Sequence, residues 1–262
     1  MAAVNLGDIV PVSTIDWRGK TAMVIFLRGC PLNCVYCQNA QIRAGSNYVD
    51  LDDLEAEIVK NACVIDAVVL SGGEPCMQPV ALEALAAVAR KQGLLVAVQT
   101  CGYYPDAVES LLHQGLVEKL FLDIKAPLSS GARYDELTRA TGVAARVKRT
   151  LEVCVHAAVE FEVITTVFKG LVAREEVTAI ARELVARGAH AQPYIIQQGR
   201  AEVVSGRTLD ATAVFSRAEL KELAAEALSA APLHEVRIRT REQGEEVVFK
   251  LSSGKKVNER TW

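Results

Sequence analysis

Six short runs rich in β-branched residues, each followed by an amphipathic segment, leave this chain few folds to choose from. The runs are 22–26, 66–70, 94–98, 119–123, 160–167 and 192–196. The segments between them have readable ends. Asp50 stands as an N-cap ahead of Leu51, Leu54 and Ile58, which share one helical face. Pro79 suits a first helical position and Gly93 a stop, with Leu82, Leu85 and Val88 between them. Residues 105–115 repeat that Pro-start, Gly-stop grammar, and Val177, Ile180 and Leu184 form a further stripe ended at Gly188. Ser216 and Glu219 make a capping box ahead of Leu220 and Leu223. Strand–helix units in succession require parallel strands joined by right-handed crossovers. The result is an α/β fold, either an open doubly wound sheet or a barrel, complete or partial. The pattern alone does not choose between these. A last pair of strands, 235–240 and 246–251, turns at Gln243 and Gly244 and reads as a C-terminal addition.

Folds of this kind bind ligands at the carboxyl ends of their strands, and the chemistry-bearing residues fall there. Cys30 follows the first run, Ser71-Gly72-Gly73-Glu74-Pro75 the second and Thr100-Cys101-Gly102 the third. Asp123-Ile124-Lys125 ends the fourth, and Gln197 and Gln198 end the sixth. Scattered surface polar residues would not keep this phase.

Cys30, Cys34 and Cys37 lie within eight residues of one another. Three thiolates can hold three corners of a cubic iron–sulfur cluster, leaving the fourth iron without a protein ligand. Electron-transfer clusters normally have four protein ligands, whereas a site with an open position is built to bind something else. The plainer alternatives are a structural zinc site with a distant fourth ligand, or three core thiols. Zinc ligands, however, usually come as two short paired loops. Gly72 and Gly73 let the backbone approach a ligand closely, and Glu74 supplies a negative charge beside them. Asp123 and Lys125, two apart on a strand, point to one face. The interior of a small barrel is expected to be apolar, so a charged pair there marks a site.

The remaining cysteines show no paired spacing: Cys63 and Cys154 fall in helical patterns as core thiols, while Cys76 and Cys101 belong near the mouth. Arg237, Arg239 and Arg241 share one strand face opposite Val236 and Ile238. That face reads as a solvated cationic edge, or more sharply as a docking surface for an acidic partner or a ligand anion.

No Gly/Ser/Pro-rich linker divides the 262 residues, so one domain is expected, with a core at about 20–232 and a β extension at about 233–262. The apolar run 22–27 is too short for a membrane span or a signal peptide. Seven cysteines without an export signal point to a reducing cytoplasm. A net charge of −3 does not advertise nucleic-acid binding.

A Cys-x3-Cys-x2-Cys with Tyr36 just before the third Cys resembles the signature of the radical S-adenosylmethionine (radical SAM) superfamily. The resemblance implies a partial (β/α)6 TIM-like barrel splayed open on one side. It also implies a [4Fe–4S] cluster on Cys30, Cys34 and Cys37, whose open iron chelates the amino and carboxylate groups of S-adenosyl-L-methionine. Reductive cleavage then yields methionine and a 5′-deoxyadenosyl radical. Gly72-Gly73-Glu74-Pro75 resembles the motif that grips the methionine amino group. Residues 13–30, Asp123–Lys125, 162–167 and Gln197, and more weakly 239–242, resemble anaerobic ribonucleotide reductase activating proteins among the glycyl-radical enzyme activases.

On that resemblance Tyr36, Thr100, Asp123, Lys125 and Gln197 join the cofactor site, with Lys125 near the carboxylate. Gln99 and Cys101 depart from the Asp-Thr-Asn-Gly pattern at the third strand, and Gln38 stands where relatives carry His. Only 34 residues separate Cys37 from Gly72, too few for a ferredoxin-like insert. The implied partners are a glycyl-radical enzyme, anaerobic ribonucleotide reductase, and a flavodoxin or ferredoxin-type electron donor. A radical enzyme acting on a small molecule or RNA base, and a non-enzymatic iron–sulfur carrier, stand as alternatives.

Overall fold

The computed structural model describes residues 3–157, 159–204 and 207–251. The chain opens with β1 (Ala3–Ser13), β2 (Ala22–Leu27) and β3 (Tyr48–Asp50), then alternates α1 (Leu51–Asn61), β4 (Ala67–Gly72), α2 (Pro79–Lys91), β5 (Leu95–Thr100), α3 (Pro105–His113) and β6 (Lys119–Asp123). Two helices follow, α4 (Gly131–Thr138) and α5 (Val143–His156), before β7 (Glu160–Val167), α6 (Arg174–Ala186) and β8 (Tyr194–Gln198). A small hairpin, β9 (Glu202–Val204) and β10 (Arg207–Leu209), precedes α7 (Arg217–Ala230), β11 (Glu235–Thr240) and β12 (Gly244–Lys250).

The main sheet has ten strands in the order β12-β11-β8-β7-β6-β5-β4-β2-β1-β3. Every pairing from β2 to β11 is parallel, and the outer β1, β3 and β12 are antiparallel. β2 and β11 do not pair, so the barrel stays open along that seam. The expected partial α/β barrel is therefore present.

Alternation along each strand divides the apolar residues between two faces. Met23, Ile25, Leu27, Val68 and Leu70 pack outward against the helices. Ala22, Val24, Ala67, Val69, Ala97, Phe121, Ile164 and Ile195 face inward with Trp17. Each fully buried aliphatic side chain contributes about 1.5–3 kcal/mol. The helix ends follow the expected chemistry. Asp50 accepts from the Asp52 N–H at the start of α1, and Ser216 and Glu219 form a reciprocal capping box on α7.

Three features differ from expectation. β1 was hidden in the sequence by Gly7 and Pro11, and its pairing with β2 breaks register twice, between Leu6 and Asp8 and between Val10 and Ser13. Bulges and edge positions are where strands tolerate such residues. β11 is no appendage: α7 carries it back to lie parallel to β8, with Arg237 opposite Ile195. Only β12 is a terminal antiparallel addition, and the part of the proposed extension beyond residue 251 lies outside the described residues. Finally, Cys63 is exposed beyond the end of α1 and is not a core thiol, whereas Cys154 is buried in α5.

Candidate active site

The loop after β2 and the loop after β4 are zipped together. The Gly73 N–H donates to the Leu27 carbonyl at 2.9 Å and the Glu74 N–H to Gly29 at 2.8 Å. That closeness explains the glycine pair. A Cβ on Gly73 would fall 2.2 Å from the Gly29 oxygen; one on Gly72, whose φ is +134°, would fall 2.1 Å from the Leu27 oxygen. The cysteine loop is anchored on the opposite side by Asn33 and Val35, whose N–H groups donate to Thr138 and Leu137 at the end of α4. Asn39 Nδ2 closes the loop onto the Gly72 carbonyl at 2.9 Å.

Cys30, Cys34, Cys37, Tyr36, Gly72, Gly73, Thr100, Asp123, Lys125 and Gln197 all line one cavity of about 910 Å³. It also takes in Gln38, Asn39, Gln99, Cys101, Thr166 and Arg239. Its outer walls are Thr14, Ile15, Asp16 and Arg18, ahead of β2, and residues 240–245 at the β11–β12 turn. They adjoin β2 and β11, the two parallel strands that do not pair.

Lys125 Nζ donates to Asp123 Oδ2 at 2.6 Å and lies 6.0 Å from the centre of the Tyr36 ring. Burial disfavours the Lys125 ammonium, but Asp123, Cys34 and Tyr36 outweigh it and hold the group well above the usual lysine range. Burial pushes the Cys34 thiol up to about 12 and raises Cys37 as well. Cys30 moves the other way, chiefly because the Cys101 thiol hydrogen-bonds to it.

Three buried polar atoms on the cavity wall have no partner within the protein: the Tyr36 hydroxyl, Gln38 Nε2 and Asp123 Oδ1. An unsatisfied buried group costs about 1–3 kcal/mol, so such atoms mark where a polar ligand would be held. Among the described residues, no three acidic, His or Cys side chains converge on a single metal ion. A four-iron cluster makes no such demand, because each thiolate binds a different iron around a concavity. The donor set, three thiols beside a cation and unpartnered polar atoms, fits a cluster with an amino-acid ligand next to it.

Glu74 is placed differently from the other sequence candidates. It is fully buried and is not among the cavity-lining residues. Its Oε1 accepts from the Cys76 N–H at 3.0 Å and from Thr100 Oγ1 at 2.8 Å, and its Oε2 from the Cys101 N–H at 2.7 Å. It therefore braces the turn after β5 against the turn after β4. Thr100, though on the wall, also accepts from the Gly102 N–H at 3.0 Å.

The solvated-edge reading of Arg237, Arg239 and Arg241 holds for the exposed Arg241 and fails for buried Arg237, while Arg239 is half-buried. Arg237 is buried inside the barrel, bonded to Glu162 at 2.9 Å, to Glu245 at 2.8 Å, and to Glu235. The barrel interior is thus not apolar throughout. Arg239 reaches the cavity, donating to Gln197 Oε1 at 3.0 Å and Glu245 Oε2 at 2.8 Å, while Gln197 Nε2 donates to Thr166 at 3.2 Å. Their alternation with Val236 and Ile238 was the signal; only the parallel pairing of β11 turns that face inward.

Residues 24–184 match the model of the radical SAM superfamily. A Methanocaldococcus jannaschii protein provisionally named a glycyl-radical enzyme activating enzyme is 29% identical over 189 residues, 68% of this chain and 74% of that protein. The pyruvate formate-lyase-activating enzyme of Clostridium pasteurianum is 34% identical over 132 residues, 48% of this chain. The match spans about half of that relative's length, 54%. A radical SAM methyltransferase from Sphaerobacter thermophilus superposes with a TM-score of 0.65 at 14% identity, covering 85% of this chain and 67% of that one, a likeness of fold. Among the described residues no helix is long and apolar enough to cross a membrane. With its family match covering most of the sequence and its three cysteines on one cavity wall, the chain belongs to the radical SAM superfamily.

Proposed function

We propose that this protein binds a [4Fe–4S] cluster through Cys30, Cys34 and Cys37 and uses it with S-adenosyl-L-methionine to generate a glycyl radical on a partner enzyme. The observation that carries the reading is the grouping of three thiols, the Asp123–Lys125 pair and the unpartnered Asp123 Oδ1 and Tyr36 hydroxyl on one cavity wall. The cluster and its ligand supply reductive cleavage of the sulfonium bond. The protein's own residues hold and shield that chemistry. Lys125, kept charged by Asp123, suits the methionine carboxylate. The Gly72–Gly73 backbone allows close approach of the amino end, and Glu74 serves it indirectly by fixing the loop. Thr100 and Gln197, on the same wall, suit the adenosine portion.

The relatives' names support a glycyl-radical enzyme as the partner, and the resemblance of residues 13–30 favours anaerobic ribonucleotide reductase. A cavity of about 910 Å³ lies near the upper end of small-molecule pockets, roughly 300–1,000 Å³. Its opening along the β2–β11 seam offers a polypeptide loop a way in. A flavodoxin- or ferredoxin-type donor in a reducing cytoplasm would supply the electron.

Anaerobic reconstitution with iron and sulfide, followed by a reductant and S-adenosylmethionine, should yield 5′-deoxyadenosine. Adding each glycyl-radical enzyme of the host should then yield a stable organic radical signal on one of them. Deoxyadenosine without any such signal would remove the activase reading and leave the radical SAM chemistry standing. A small anionic substrate is the second reading, favoured by Arg18, Arg200 and Arg241 on the exposed cavity rim.

A further inference from the structure

We propose that Arg239 is a positioning residue: it turns the Gln197 side-chain amide so that the ends of β7 and β8 offer a ligand two hydrogen-bond donors, the second Gln197 N–H and the Thr166 hydroxyl. The nucleoside part of S-adenosylmethionine, whose ring nitrogens and ribose oxygens accept, has the chemistry that fits. This rests on the reading of the cavity as the S-adenosylmethionine site.

Four residues form one row across four neighbouring strands. Thr166 on β7 stands opposite Gln197 on β8, Gln197 opposite Arg239 on β11, and Arg239 opposite Glu245 on β12. Directly paired residues share a face of a sheet, and all four line the cavity. Hydrogen bonds run along the row in one direction. Arg239 Nη2 donates to Glu245 Oε2 at 2.8 Å, Arg239 Nη1 donates to Gln197 Oε1 at 3.0 Å, and Gln197 Nε2 donates to Thr166 Oγ1 at 3.2 Å. The Glu245 end is itself fixed, because its Oε1 accepts from Arg237 at 2.8 Å.

The direction follows from which groups can donate. A guanidinium donates only, so the amide end facing Arg239 is the oxygen and the nitrogen faces Thr166. A hydroxyl both donates and accepts. Thr166 alone therefore pairs equally well with either end of the amide and does not choose between them. With the nitrogen toward it, the Thr166 oxygen accepts, and its proton is released for another partner. Among the described residues nothing accepts that proton or the second Gln197 N–H. Gln198, one residue on, uses both of its ends within the protein: its Oε1 accepts from the Arg241 N–H at 3.0 Å and its Nε2 donates to the Phe215 carbonyl at 2.7 Å. Gln197 lies two strands from Asp123, with β7 between them, or about 10 Å across the sheet. One ligand can therefore meet Lys125 with its amino-acid part and Gln197 with its nucleoside.

The test is S-adenosylmethionine affinity, measured by calorimetry on reconstituted wild type, Gln197→Glu, Gln197→Met, Arg239→Met and the double variant of the last two. In Gln197→Glu one carboxylate oxygen takes Arg239 and the other takes the Thr166 proton, so both donors are withdrawn. A neutral hydrogen bond is worth about fivefold in affinity, which predicts a loss above about tenfold for Gln197→Glu and about fivefold for Gln197→Met. Arg239→Met frees the amide to turn and should lose about threefold. Added to Gln197→Met, it should lose less than about twofold more, because the amide it acts through is gone. A double variant whose losses multiply shows Arg239 acting by another route and overturns the proposal. So does a Gln197→Glu that binds no more weakly than Gln197→Met. If Arg239→Met fails to fold for want of a cation at Glu245, that comparison of the two Gln197 variants decides alone. Wild type that takes up no cluster or binds no S-adenosylmethionine would overturn the proposed function first. Normal wild-type binding with unchanged variants overturns this inference alone.

Discussion

Toward the N-terminal ends of the strands, Lys119 is held between Glu160 and Glu162 at 2.7 and 2.6 Å, and Arg237 bonds to Glu162 and Glu235. At the C-terminal ends, Asp123 gives one oxygen to Lys125 and leaves the other without a partner, beside an unpartnered Tyr36 hydroxyl. Both regions put charges inside the same barrel wall. In the lower one each charge named here meets an opposite charge from the protein. In the upper one hydrogen-bonding capacity is left over. Under the proposed function, incompletely matched polarity is a better guide to the site than buried charge alone.

The sharpest way to test that contrast is at the cysteines. Cys34→Ala should abolish deoxyadenosine formation and cut iron uptake, with little effect on unfolding of the cluster-free protein beyond a small core loss. Deoxyadenosine production by that variant would show the ligand assignment to be wrong.

Arg237→Ala probes the lower region and should do the reverse. Breaking a buried ion pair from one side costs about 3–5 kcal/mol, to be read from urea unfolding, while affinity for S-adenosylmethionine changes by less than about twofold. If stability held and affinity collapsed, the lower network would have to be reassigned to the site.

Asp123→Asn removes the negative partner of Lys125. A lost charge-assisted hydrogen bond of about 1.5–3 kcal/mol predicts weaker binding of S-adenosylmethionine by about tenfold or more, measured by calorimetry on the loaded protein. Unfolding should lose less than about 3–5 kcal/mol, the cost of breaking a fully buried pair from one side, because Asp123 is partly exposed and Asn keeps a hydrogen-bond acceptor for Lys125.

The smallest effect is on pH dependence. Burial works against the charges of Glu235 and Glu245. Lys250 and Arg237 outweigh it at Glu235, and Arg239 with Arg237 outweighs it at Glu245; both carboxyls are held below the usual range. Groups depressed on folding stabilise above their unfolded value, about 4.3, and that stability is lost as pH falls through the depressed folded values. Melting temperature should therefore drop below about pH 4, less steeply in Glu245→Gln. Parallel curves for the two proteins would contradict this.

Much of this contrast is half legible in the amino-acid sequence. The strand–helix alternation located β2, β4 to β8 and most helices, because burial on both faces of a parallel sheet leaves continuous apolar runs. The edge strand β1 escaped notice because Gly7, Pro11 and two register breaks obscure its period. Asp123 and Lys125 were readable from two-residue spacing. Glu74 was readable as a motif member but not as a brace, since its partners Thr100 and Cys101 stand 26 and 27 residues away. Arg237 reads as a solvated edge in the sequence because its partner Glu162 lies 75 residues back.

What the amino-acid order determined alone was the chemistry that depends on local spacing: three thiols in one loop, a glycine pair, a charged pair at a strand end, and through them the superfamily. Tertiary structure decided which polar groups are consumed within the protein and which are left facing the cavity. A hydrogen bond has to be counted at both ends, and for Glu74, Arg237 and Cys101 the other end is supplied by a distant stretch of chain that only the folded barrel brings near.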